Sequence, residues 1–234
     1  MRRPHARRRA RLRVIMSSLT SPDEGLYAHL IPELRTLALR GAVRSYPKKT
    51  VVINEGEIGD SLFVLLKGSV KVFSMDENGR EITYGRIHSG DYFGEMSLDG
   101  GPRSASVITL EPCTCAVLSR ADVSEHLADE PGFAINLVVQ VIRRARSATE
   151  AARNMALLDV YGRLITVLEE HDDVTTRDTA TGLTLESITH QDIASRVGAS
   201  REMVSRLLKD LEKGGYIEMG TKRITLLKKL PTRW

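Results

Sequence analysis

Thr189-His190-Gln191-Asp192-Ile193-Ala194-Ser195-Arg196-Val197-Gly198, continued by Ala199-Ser200-Arg201-Glu202-Met203-Val204-Ser205-Arg206-Leu207-Leu208, reads as two short helices joined by a tight turn. Thr189 is placed to cap the first helix, and Asp192 at its third position completes a carboxylate form of the capping box. Ile193, Ala194 and Val197 form the apolar face, Gly198 supplies the turn, and Ser200 caps a second helix that buries Val204, Leu207, Leu208 and Leu211. The pattern is a helix-turn-helix. Arg201, Glu202, Ser205 and Arg206 fall near the start of the second helix and off its apolar side, where such a helix presents side chains to the major groove of double-stranded DNA. Arginine suits guanine O6 and N7, and glutamate accepts from cytosine N4. A charged helix face is also the ordinary solvated face, so the argument rests on the cap, the turn glycine and the local charge together.

That charge is local. The chain of 234 residues carries a net +4, but seven arginines (Arg2, Arg3, Arg7, Arg8, Arg9, Arg11 and Arg13) stand in its first thirteen positions. Without them 27 basic residues face 30 acidic ones, a balance of −3. Residues 196–234, in contrast, hold ten Lys or Arg against four Asp or Glu, the basic footprint expected of a nucleic-acid surface. The same region ends in an expected hairpin, Tyr216–Met219 with Arg223–Leu226 across Gly220-Thr221, which gives the helix pair a wing. The arginine-rich start lacks a periodic apolar face and is expected to be disordered. Leu12 to Met16 is too short for a signal peptide, and Met16 is an equally good start codon.

Upstream, from Gly41 to about Arg120, glycines punctuate short stretches of period-two alternation such as Ser69–Val72 and Glu81–Tyr84 around an Asn78-Gly79 turn. Such spacing predicts a small antiparallel barrel or sandwich. Cys113 and Cys115 alternate within one of these strands and read as small buried hydrophobes. With only two cysteines the chain offers no disulfide framework or four-cysteine cluster, and no apolar run approaches a membrane span. No redox cofactor, metal or membrane partner is expected, and a reducing cytoplasm is the expected location.

Past Pro131, Ala134, Val138, Val141, Ala145, Ala148, Ala152 and Met155 recur at spacings of four and three. This is the seam of a coiled coil and predicts a parallel homodimer whose interface uses Val138, Val141, Ala145, Ala148 and Ala152. The alternative is a helix packed only on its own barrel. Arg143, Arg144, Arg146, Glu150 and Arg153 lie off the seam, on flanks open to solvent or ligand.

Gly198–Arg206, preceded by Leu158-Asp159-Val160, resembles the CRP/FNR family of bacterial transcription regulators, and the likeness covers nearly the whole chain after the basic tail. The resemblance implies an α+β fold: a basic tail at 1–24, a cyclic-nucleotide-binding β-roll (a jelly-roll-like barrel) at 25–130, a long dimerisation helix at 131–158 and a winged helix-turn-helix at 159–234. It implies that Arg201, Glu202 and Arg206 read a TGTGA-like half-site of a palindrome. It also implies that Ser200 and His190 or Gln191 hold phosphates beside Ser205 and Lys222, and that Asp159 marks the hinge. Phe93-Gly94-Glu95-Met96-Ser97-Leu98, followed by Gly101-Pro102-Arg103-Ser104-Ala105, resembles the phosphate-binding cassette of cyclic-nucleotide domains. A glycine-led turn offers N–H groups to an anion, Arg103 supplies fixed charge, and Glu95 accepts from a ribose hydroxyl. Gly94, Glu95, Met96, Arg103, Ser104 and Thr149 are then the implied ligand shell, the alternative being that Glu95 and Arg103 pair in an empty pocket. Where cAMP receptors carry a hydroxyl pair on the dimer helix, this chain has Ala148 followed by Thr149. The implied allosteric effector is therefore cAMP or cyclic di-GMP, with RNA polymerase as a further partner. No nucleophile, metal cluster or Walker-type loop points to an enzyme. A competing reading is a nucleotide-binding module that recruits a protein, or a constitutive DNA binder with a vestigial pocket.

Overall fold

The computed structural model describes residues 24–169, 175–179 and 182–231. The expected basic tail therefore lies, but for Glu24, outside the described residues. Two short helices, α1 (Glu24–Tyr27) and α2 (Pro32–Ala38), lead into eight strands: β1 (Ala42–Tyr46), β2 (Val51–Ile53), β3 (Leu62–Lys67), β4 (Ser69–Met75), β5 (Glu81–His88), β6 (Tyr92–Phe93), β7 (Ser106–Thr109) and β8 (Cys113–Leu118). They pair antiparallel into two four-stranded sheets, in the orders β1-β8-β3-β6 and β2-β7-β4-β5. The anticipated Asn78-Gly79 turn joins β4 to β5, with Gly79 at φ 75°.

β3 explains how the layers stack. Its run Leu62 to Leu66 is buried on both faces, as a strand covered on each side must be. Phe63 and Leu65 pack with Val70, Ile87, Phe93, Val107, Cys113 and Cys115 between the two sheets. Leu62, Val64 and Leu66 face the other way, into a second cluster with Leu34, Leu37, Tyr92, Val123 and Phe133 under the helices. The rings of Phe63 and Phe93 stack at 5.0 Å. Both cysteines are free and buried, and desolvation pushes the Cys115 thiol up to about 12. They pack as hydrophobes on one face of β8, as their alternation predicts.

Helix α3 (Arg120–Asp129) starts at a Ser119/Asp122 capping box, and α4 (Gly132–Leu157) runs for 26 residues. Of its side chains only Phe133 is fully buried, wedged against Tyr92 and edge-on to His126. Farther along the same side, Gln140 donates to Asp91 Oδ1 at 2.7 Å and Arg144 reaches Glu95. The opposite side leaves Ile135, Val138, Val141, Ile142 and Met155 exposed. The helix thus has two faces, one fastened to the roll and one apolar and uncovered. Among the described residues no helix is long and apolar enough to cross a membrane.

Leu158, extended at φ −108° and ψ 140°, breaks the helix, and α5 (Val160–Glu169) begins with Asp159 accepting from the Gly162 N–H. Then come β9 (Thr175–Thr179), β10 (Gly182–Glu186), α6 (His190–Val197), α7 (Arg201–Lys213), β11 (Ile217–Gly220) and β12 (Arg223–Leu226). The expected hairpin is present with two differences. Its strands run to Gly220 and from Arg223, so the turn is Thr221-Lys222 rather than Gly220-Thr221, with Lys222 at φ 54°. It also belongs to a four-stranded sheet, β11-β12-β10-β9, whose first hairpin was not anticipated. Leu164, Leu168, Leu185, Ile193, Val204, Leu208, Leu211 and Ile224 make this domain's own core.

The domains touch. Helix α6 packs on the edge strand β5, where Thr83 Oγ1 donates to Ser195 Oγ at 3.0 Å and Arg86 pairs with Asp192 at 3.6 Å. Phe133 is the apolar anchor of α4, so Phe133→Ala is expected to cost about 3–5 kcal/mol. Urea unfolding of the roll checks this, and a loss below about 1 kcal/mol would contradict it.

Candidate functional site

Gly94 stands at φ 89° ahead of a single 3-10 turn, Glu95–Ser97. A Cβ there would sit 2.7 Å from the Ser61 carbonyl oxygen and 2.9 Å from Arg103 Nη1, so both conformation and space require glycine. Arg103 is 7% exposed. Its guanidinium donates from Nη1 to the Gly94 carbonyl and from Nη2 to the Ser61 carbonyl, each at 2.9 Å. Burial lowers its pKa, opposed by the charges of Asp60, Glu95 and Glu57. Arg103 therefore braces the cassette through backbone carbonyls and does not pair with Glu95.

Glu95 finds another cation. Its Oε1 accepts from Nη1 of Arg144 on α4, whose Nη2 also donates to the Tyr92 carbonyl at 2.7 Å. The Glu95 side chain is 1% exposed, and its Oε2 is buried with no hydrogen-bond partner. An unpaired carboxylate oxygen in an apolar interior costs free energy, and a hydroxyl donor from a bound molecule relieves that cost. The residues present thus fit the ribose of a cyclic nucleotide. The phenol of Tyr92 is raised, first by burial and then by the Glu95 charge.

The remaining expected ligand residues are less tightly held. Ser104 Oγ donates to Met96 Sδ at 3.4 Å, and Met96 is exposed. Thr149 lies on the exposed face of α4, its hydroxyl donating to the Ala145 carbonyl. Gly94, Glu95, Met96, Arg103 and Ser104 come together, whereas Thr149 touches none of them. Arg144 stands on a flank that the sequence leaves open to solvent or ligand, and its pairing with Glu95 is what the sequence does not reveal. Its only signal was a position eleven residues after Phe133, on the same helical side.

At the other end of the chain, Arg201, Glu202, Ser205 and Arg206 line one shallow open surface together with Lys209. Lys209, four residues after Ser205, was not singled out from the sequence. Thr189 accepts from the Asp192 N–H while Asp192 accepts from the Thr189 N–H and hydroxyl, the anticipated capping box. Gly198 is left-handed at φ 64°. Ser200 caps α7 through the Met203 N–H. The Glu202 carboxyl is held below its ordinary range by its own backbone N–H and then by the Ser200 hydroxyl. Gln191 is exposed, and Lys222 projects from the wing turn. His190 Nδ1 and Ser205 Oγ are hydrogen-bonded to each other at 2.8 Å, which links α6 to α7.

Comparison with known proteins agrees with this division. Residues 43–130 match the model of the cyclic nucleotide-binding domain and residues 162–229 that of the Crp-like helix-turn-helix domain. The chain is 34% identical over 190 residues to the cAMP-activated global transcriptional regulator CRP of Escherichia coli, which covers 79% of this chain and 89% of that one. It is 35% identical over 192 residues to the cAMP-activated global transcriptional regulator Vfr of Pseudomonas aeruginosa, covering 78% and 88%. The solved structure of the c-di-GMP responsive global regulator CLP of Xanthomonas campestris is similar at a TM-score of 0.74 and 26% identity, covering 84% of this chain and 98% of that one.

Because Arg103 satisfies two partly buried carbonyls, Arg103→Ala is expected to destabilise the ligand-free protein by up to about 1–3 kcal/mol per carbonyl left unpaired. Chemical denaturation without nucleotide measures this. An unchanged midpoint would mean that those carbonyls find water instead.

Proposed function

The chain belongs to the CRP-like family of cyclic-nucleotide-binding, DNA-binding transcription regulators, and from that premise we propose a homodimer in which cAMP or cyclic di-GMP, seated against Glu95 and Arg103, sets the affinity of two helix-turn-helix domains for a TGTGA-like palindrome. The observation that carries the reading is the half-satisfied Glu95 carboxylate. One oxygen is held by Arg144 of α4 and the other is buried and unpartnered. A ribose hydroxyl donating to Oε2 completes the site, and the cyclic phosphate lies against the cassette backbone and Arg103. The same Glu95 ties the pocket to the helix that leads, through Leu158, into the DNA-binding domain.

Dimerisation through α4 is supported by its uncovered apolar side, where Val138, Val141 and Met155 are exposed beside the small Ala145, Ala148 and Ala152. Small residues let two helices approach closely. The base of the nucleotide then faces this seam near Ala148 and Thr149. One hydroxyl fewer than a hydroxyl pair removes about 1 kcal/mol of recognition. cAMP is favoured by the relatives it activates. Cyclic di-GMP is favoured by the responsive neighbour and by the exposed Arg143 and Arg146, which can stack on guanine or meet a second phosphate. DNA reading falls to Arg201, Glu202 and Arg206, with Ser200, Gln191 and Lys222 on phosphates. A cytoplasmic site of action and a contact with RNA polymerase complete the proposal, and no enzymatic step is assigned.

Calorimetric titration with cAMP, cGMP and cyclic di-GMP tests the pocket. One nucleotide is expected to bind, and Glu95→Gln to weaken it by about 1.5–3 kcal/mol, the worth of a hydrogen bond to a charged group. Binding by none of the three overturns the effector assignment. On DNA, Arg201→Ala or Arg206→Ala is expected to cost about 1–3 kcal/mol per half-site on the palindrome and much less on random duplex. Equal losses on both in a gel-shift series would contradict base reading by these arginines.

A further inference from the structure

The DNA-binding surface contains a feature that neither base reading nor effector binding uses. His190, first residue of α6, is half-buried, and its Nδ1 is 2.8 Å from Ser205 Oγ in the middle of the recognition face. Ser205 lies one helical turn from Arg201 on one side and from Lys209 on the other, and all three line the same surface. A histidine is thus held in a cluster of fixed positive charge, at a helix start where the backbone dipole is positive as well.

The carboxylates within reach are engaged elsewhere. Asp192 is bonded to Thr189 and paired with Arg86 of β5, and the Glu202 carboxyl is drawn to Ser200 and its own backbone N–H. Arg206 of α7 adds to the positive field, and the wing approaches through the Lys222 carbonyl, which accepts from the Ile188 N–H. The ring titrates accordingly: burial first, then Arg201, then Lys209, hold its pKa below the ordinary histidine value. At neutral pH the free protein carries His190 uncharged.

DNA reverses that field. A phosphate settling against α6 and α7 offsets the charge of Lys209 and adds negative charge beside the ring. An imidazolium has two N–H donors, so it can hold Ser205 Oγ through Nδ1 and a phosphate oxygen through Nε2 at once. We propose that DNA binding by this protein is proton-linked, with His190, positioned by Ser205, taking one proton per domain from solvent as the phosphate backbone closes on it. This rests on the DNA-reading function proposed above. Because the bound form holds the extra proton, affinity must rise as pH falls between the bound and free pKa values, by up to tenfold per pH unit for each domain that takes up a full proton.

The test is fluorescence anisotropy of the full chain on a labelled duplex carrying the TGTGA-like palindrome with unphosphorylated ends. It is run from about pH 8 to about pH 6 at constant ionic strength, with and without saturating cAMP or cyclic di-GMP. The expected result is a several-fold gain in affinity toward low pH whose slope His190→Gln abolishes. A flat wild-type profile overturns the proton linkage and leaves DNA reading intact, and a slope that survives His190→Gln assigns the proton to another group and overturns it equally. No binding to the duplex at any pH would instead overturn the DNA-reading function. Should His190→Gln unfold, the His190 ring proton followed by NMR in wild type decides the matter, since its pKa must rise on adding duplex.

Discussion

The link between the nucleotide cassette and the long helix depends on one buried carboxylate. Glu95 sits in the β-roll with its side chain 1% exposed. A charge so placed is tolerable only if it is paired and its oxygens are hydrogen-bonded. The roll itself supplies no cation for it, because Arg103 spends its guanidinium on the carbonyls of Gly94 and Ser61. The partner comes from Arg144, on the long helix. The position of that helix is thereby tied to the electrostatic state of the pocket, and whatever occupies the free Glu95 oxygen acts on the same carboxylate that Arg144 holds.

The long helix can serve this role because its two sides differ. One side carries Phe133, Gln140 and Arg144 at near-heptad intervals against the roll, while the other presents an apolar stripe to whatever covers it. Beyond Leu158, Arg163 donates both to the Leu158 carbonyl and to the Val197 carbonyl at the end of α6, so the helix break is bonded to the helix-turn-helix. A second path runs through β5, where Thr83 and Arg86 grip Ser195 and Asp192. Asp192 at once completes the capping box of α6 and pairs with the roll. A ligand that binds two arrangements of these contacts with equal affinity would shift nothing, so the coupling depends on differential contacts at Glu95 and Arg144.

Much of this was legible in the sequence because it is local. The Thr189/Asp192 box, the Gly198 turn and the Ser200 cap are each decided within about four residues, and each forms as anticipated. The heptad spacing of α4 and the glycine-led cassette are also short-range patterns. What the sequence hid is long-range. The Arg144–Glu95 pair joins residues 49 positions apart, and nothing in either segment marks the other. Arg103 read as a ligand residue by its charge, yet its geometry commits two of its N–H groups to backbone. The β9–β10 hairpin escaped notice because its polar strand, Thr175–Thr179, lacks the apolar alternation that announces a strand.

The coupling itself can be measured directly, by titrating the full chain onto the palindromic duplex at increasing concentrations of the nucleotide that binds the pocket, beside Arg144→Ala. The account predicts that nucleotide raises DNA affinity by about 5- to 150-fold, the usual range for allosteric coupling, and that Arg144→Ala binds DNA with that dependence largely lost. DNA affinity indifferent to nucleotide in the wild-type protein, or coupling undiminished in Arg144→Ala, would contradict it.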